Sequence, residues 1–199
     1  MVKSTFKKGL EGWSIGGDVA AFEWRDSGGN PGGYLYWQDA ASGSDTYWEA
    51  SAKFTGNKGK FLGGTFSYDA QASANDYGGV PDVTISGANG TVLVAVAGQP
   101  GSGWTHFALA LDAGGGWHVG TLDGAAATDR DIKAVLKDVA AVTIRAEYVW
   151  GGETGGLDNV AMTKGPKPLA SAFGDDTAAP VHHGLTWLHD HAAGVLPMA

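Results

Sequence analysis

The stretch PDVTISGANGTVLVAVAG, residues 81–98, decides the fold class. Val83 and Ile85 alternate with Asp82, Thr84 and Ser86, and a period of two gives a strand one apolar face and one polar face. Asn89-Gly90 separates this run from the apolar residues 92–96. Both residues tolerate positive φ, as a type I′ turn demands, so the spacing predicts a β-hairpin. Further along, FALALD places Phe107, Leu109 and Leu111 in alternation with Ala108 and Ala110. The text on either side, GGYLYWQDAASGSDTYWEA and GGTFSYDAQAS, is built in the same way, from short aromatic or β-branched runs between glycine-rich turns.

One segment departs from this pattern. In ATDRDIKAVLKDVAAVTIRAEY, residues 127–148, Thr128 is followed three residues later by Asp131, which resembles a capping box with Asp in place of Glu. Ile132, Val135, Leu136 and Val139 then recur at helical spacing, so one short amphipathic helix is expected. Val142, Ile144, Ala146 and Tyr148 return to period two, and LDNVAM forms a last strand after a glycine-rich turn.

The totals agree with an all-β chain. A length of 199 residues suits one core, and 33 glycines favour many turns over long helices. A formal charge of -8 disfavours nucleic acid as a partner, because that affinity comes largely from clustered Lys and Arg. The absence of cysteine excludes disulfides, thiolate metal sites and a cysteine nucleophile. No apolar run approaches the ~18 residues of a membrane span, so membrane insertion is not expected. The opening MVKSTFKKGLEGW has lysines without an apolar stretch behind them, so no signal peptide is legible. Beyond Lys164 the composition shifts to prolines and holds four of the six histidines. We divide the chain into a sandwich over 1–164 and a C-terminal extension over 165–199 that could serve as a subunit-joining arm.

The runs TYWEASAKFTGNKGKFLGGTFSYDAQ and ATDRDIKAVLKDVAAVTIRAEYVWGGETGGLDNVAM, with STFKKGLEGW before them, resemble the laminin B (laminin domain IV) family in its bacterial form over roughly residues 4–163. The resemblance implies an antiparallel jelly-roll β-sandwich with one short inserted helix, similar to galactose-binding-like and carbohydrate-binding modules. It also implies an extracellular or cell-surface setting and a structural calcium near the start of the last strand. Asp158 stands where such a carboxylate falls. Where the family-like opening carries an acidic residue after STF, this chain has Lys7 and Lys8, and lysine cannot ligate calcium. Other oxygens then fall to main-chain carbonyls and to QDAASGSD, with Asp39 and Asp45 as the best side chains. A second reading of Asp158 is a turn residue whose carboxylate accepts backbone N–H bonds.

Flat indoles and phenols stack on sugar faces, and Trp150 and Tyr77 each border a glycine-rich loop where such a ring can stand exposed. They are the candidate ligand-binding residues, while most of the eight tryptophans are expected in the core. No G-x-S-x-G or H-E-x-x-H motif and no phosphate loop is present. Glu23, Glu49, Glu147 and Glu153 could supply a glycosidase pair, but no spacing singles one out. The expected function is a non-catalytic extracellular binding or adhesion module for a glycan or matrix-like polymer, stabilised by calcium. The alternative is a structural subunit that self-assembles through its C-terminal tail.

Overall fold

A computed structural model of the protein describes residues 1–165, except 42, 44 and 77. The proposed joining arm, from residue 166 onward, and Tyr77 therefore lie outside the described residues. Two antiparallel sheets face each other across one core, which is a jelly-roll sandwich. The first has the order β3 (Val19–Gly29), β4 (Gly32–Asp39), β12 (Thr154–Thr163), β6 (Thr65–Ala72), β9 (Thr105–Ala110), with β1 (Val2–Lys3) also paired to β12. The second runs β10 (His118–Val119), β8 (Val92–Ala95), β7 (Val83–Gly87), β11 (Val139–Arg145), β5 (Tyr47–Glu49), β2 (Ser14–Gly16).

Period two dictates which side chains enter the core. Leu35 and Trp37 of β4, Phe66, Tyr68 and Ala70 of β6, and Phe107 and Leu109 of β9 point inward from the first sheet. Val83, Ile85, Leu93, Val142 and Ile144 meet them from the second. Helix α1 (Asp129–Leu136) buries Ile132, Val135 and Leu136. Its first turn carries the capping box read from the sequence: Thr128 Oγ1 accepts from Asp131 N at 3.3 Å and Asp131 Oδ2 accepts from Thr128 N at 2.9 Å.

The hairpin at residues 88–91 forms, but its turn is not type I′. Among its residues only Gly90 has positive φ, at 82°. Gly90 N donates to the carbonyl of Gly87 at 3.0 Å, and the Asn89 side chain accepts from Thr91 N at 3.1 Å. Asn89 thus caps the turn with its amide oxygen instead of entering the left-handed region.

β12 holds the second irregularity. Leu157, Val160 and Met162 are all fully buried, a spacing of three and then two. A bulge between Asp158 and Ala161, with Asn159 at φ 51°, absorbs the extra residue. The first and last strands lie side by side, Val2 opposite Met162 and Lys3 opposite Ala161.

Candidate functional site

The outward faces of β3, β4, β12 and β6 make a shallow groove. Along β4 the phase that buries Leu35 and Trp37 turns Tyr34, Tyr36 and Gln38 to the other side. Pairing sets Glu23 opposite Tyr36, Arg25 opposite Tyr34, and Gly156 between Tyr36 and Gln71. Arg25, Tyr34, Tyr36, Gln71, Ser73 and Thr154 line a depression of about 350 Å³, within the ~300–1,000 Å³ of small-ligand clefts.

Each wall is held in place. The Arg25 guanidinium lies 3.3 Å from the centre of the Tyr36 ring, donates to Glu23 at 2.8 Å and reaches the Tyr34 hydroxyl at 3.2 Å. Trp104 meets Tyr34 edge to face at 5.3 Å and donates its indole N–H to the carbonyl of Gly28 at 2.9 Å. Gly156 is buried beside the depression, and a Cβ there would stand 3.0 Å from both Gln71 Nε2 and Trp104 Cη2, so glycine is what lets these two side chains close over the strand. The arrangement offers aromatic rings beside a guanidinium, an amide and hydroxyls, which is what a neutral or weakly charged sugar requires.

Asp158 sits at the other end of this face, fully buried beneath the β3–β4 turn. Its Oδ2 accepts from Asn30 N at 2.7 Å and its Oδ1 from Asn159 N at 2.6 Å. Burial, with the Asp69 carboxylate next to it, pushes its pKa up to about 6. Asp69 in turn accepts from the amides of Asn30, at 3.1 Å, and Asn159, at 2.8 Å, and pairs with His106 Nδ1 at 2.6 Å. Amide donors and Lys3 thus surround Asp158 where a calcium ion would need oxygens, so these residues do not fit the ion.

Asp39 is far from it. It closes β4 opposite Glu153, five ladder positions from the place of Asp158, or roughly 16 Å at strand rise. It is buried, and so are Glu147 and Glu153 beside it. Burial, then the nearby Asp39 and Asp45 carboxylates, raise the pKa of Glu147, and Glu153 is pushed up to about 8 by burial and the acidic neighbours Glu147 and Asp39. The structure therefore brings Asp39 and exposed Asp45 toward Glu147 and leaves Asp158 apart. Trp150 is 69% exposed in the turn between β11 and β12 and does not line the groove. Of the carboxylates considered for a glycosidase pair, Glu23 is bound to Arg25, Glu49 accepts from Ser14, and Glu147 and Glu153 are buried.

Arg25, Tyr36 and Gln71 line the groove without having been candidates from the sequence. The run YLYW, residues 34–37, is a signal for Tyr36 alone. Aromatic side chains in both phases of one strand mean that the outward face is also in use.

The sequence model of the family described as Laminin B (Domain IV) matches residues 47–179, more than half of the chain. No curated protein matches it. Among solved structures, the L4b domain of human laminin alpha-2 is 21% identical, with a TM-score of 0.52 over 59% of this chain and 69% of that one. An exo-beta-agarase is 12% identical, with a TM-score of 0.55 over 84% of this chain and 26% of the agarase, so this chain spans about a quarter of its length. At these identities the structural likeness is one of fold.

Proposed function

The chain belongs to the laminin B (domain IV) family, and from that premise together with the groove we propose that it is a non-catalytic extracellular module that binds a glycan or matrix-like polymer. The observation that carries the reading is the depression on the outward sheet face where Tyr34 and Tyr36 stand beside Arg25, Gln71, Ser73 and Thr154. A flat ring lies against Tyr34 and Tyr36 beside Gln71. The C–H face of a pyranose packs on the rings, and its hydroxyls bond to Arg25, Gln71, Ser73 and Thr154. Catalysis has no support in this face: Glu23, the acid beside the groove, is held by Arg25 on the exposed edge strand.

Titration against a panel of soluble polysaccharides tests this, read by calorimetry or by retarded migration in polysaccharide gels. Tyr36→Ala and Gln71→Ala are each expected to weaken binding about tenfold, the equivalent of roughly 1.4 kcal/mol. Trp150→Ala is expected to leave it unchanged. Loss with Trp150→Ala alone would move the site to the turn between β11 and β12, and binding to no polymer would end the proposal.

A further inference from the structure

Lysines gather around one hollow of a chain whose formal charge is -8. Lys133 stands in the last turn of α1 and Lys137 at its C-cap, one turn on, and both are exposed. Lys60, also exposed, comes from a separate 3-10 turn, Gly59–Phe61, that precedes β6. With Asn57 and Gly59 these three lysines line a hollow of about 540 Å³. A second depression, of about 590 Å³, shares Asn57 and Lys137 and runs on past Asn89, Ala134 and Asp138.

The charge here is not neutralised from within. Among the described residues no carboxylate stands within ion-pair distance of Lys60, Lys133 or Lys137. Asp129, four residues before Lys133, accepts from Ala113 N at 2.7 Å, and Asp131 is closed in the capping box. Asp138 borders the second depression without pairing to Lys137. Lys58, buried at the start of the 3-10 turn, donates to the carbonyl of Thr55, and burial, then the Lys60 charge, lower its pKa. A helix C-terminus favours lysine, because the macrodipole is negative there, and this accounts for Lys133 and Lys137 one at a time. It does not account for Lys60, which belongs to another element, nor for two like charges at i and i+4, which repel each other.

We propose that this hollow binds an acidic polysaccharide, whose sulfate or carboxylate groups are held by Lys60, Lys133 and Lys137. A linear acidic sugar chain repeats its charge along its length, so ammonium groups one helical turn apart, about 5.4 Å, meet successive acid groups. The amides serve its hydroxyls. Asn57 Oδ1 accepts from Gly59 N at 3.0 Å and Asn89 Oδ1 from Thr91 N at 3.1 Å, which leaves the NH2 of each to donate to a ligand. No aromatic side chain lines either depression, so a nucleic-acid base has nothing to stack on. The hollow shares no residue with the groove of β3, β4, β12 and β6, and it stands independently of the reading given to that groove.

Binding of the full chain to dextran sulfate, polygalacturonate and single-stranded poly(dT) is measured by calorimetry. Dextran sulfate or polygalacturonate is expected to bind, and which of them binds names the acid group. Affinity is expected to fall about tenfold between about 50 and about 200 mM salt, since the contacts are exposed and ionic. Replacing Lys133→Gln and Lys137→Gln together is expected to weaken binding at least about tenfold, and Lys60→Gln alone several-fold. Glutamine is nearly as good a helix former as lysine, so circular dichroism is expected to stay that of the parent. Lys7→Gln with Lys8→Gln removes the same charge from exposed lysines that line neither depression and is expected to change nothing. Tyr36→Ala is expected to keep the affinity for the acidic polymer. Equal losses in the two double variants would reduce the effect to overall charge and overturn the proposal, as would binding to neither acidic polymer. Tighter binding of poly(dT) overturns it in favour of nucleic acid, and loss with Tyr36→Ala overturns it by placing the acidic chain in the groove.

Discussion

A carboxylate and an amide stand between Leu157 and Val160 because the strand bulges there. The extra residue keeps both apolar neighbours in the core while Asp158 turns beneath the β3–β4 turn, and its two oxygens accept backbone N–H bonds. Its folded pKa, about 6, lies above the ordinary aspartate value. The protonated form therefore favours the folded state. That contribution is complete below about pH 4 and is lost as pH rises through 6, amounting to on the order of 3 kcal/mol. Urea midpoints measured from pH 4 to 7 are expected to show this slope in the parent relative to Asp158→Asn, which cannot titrate. Parallel profiles would contradict the assignment. The bulge was hidden in the sequence, since the register of β12 against β6 depends on residues some ninety positions away. Tyr36 was hidden for another reason: in YLYW both phases are apolar, so alternation does not tell which ring faces outward.

Elements with a clean period were legible as they stand. β7 and β9 alternate, and α1 declares itself through its cap and through Ile132, Val135 and Leu136, whereas β11 begins at Val139, the last residue of the helical spacing, bulges before Ala141 and buries Arg145 beside Ile144. Thr128→Ala removes the side chain that accepts from Asp131 N and is expected to cost about 1 kcal/mol in denaturant unfolding. Ile132→Ala leaves a hole under the same helix and is expected to cost about 3 kcal/mol. Comparable losses in the two variants would mean that the helix is held by its cap rather than by its buried face. The turn after β7 shows where local reading stops. Asn-Gly reads as two left-handed residues, yet hydrogen bonding by Asn89 to Thr91 N leaves that conformation to Gly90 alone. Gly90→Ala meets open space, so only its backbone resists, and the expected loss is about 1 kcal/mol.

At the scale of the molecule, sheet order could not be read, because it joins strands far apart in sequence. β12 lies between β4 and β6 and also takes β1, so the last strand of the sandwich needs partners from the first forty residues. The same opening region supplies the core with Phe6, Trp13, Leu35 and Trp37. Trp13 and Phe6 meet edge to face at 5.9 Å, and Trp13 also donates to Ser4 Oγ at 2.8 Å. The family match begins only at residue 47. A chain cut there keeps every strand of the second sheet except β2 but loses β1, β3 and β4 from the first. Removing one large buried aromatic costs about 3–5 kcal/mol, and a whole domain is stable by only about 5–15 kcal/mol. Loss of three such rings together with one full side of β12 exceeds that margin. Residues 47–199 alone are therefore expected to show no near-ultraviolet circular dichroism and no cooperative melt, while the full chain shows both. A cooperative transition in the shortened chain would mean that the second sheet and α1 form a self-sufficient core, and that β3 and β4 are added to it rather than required by it.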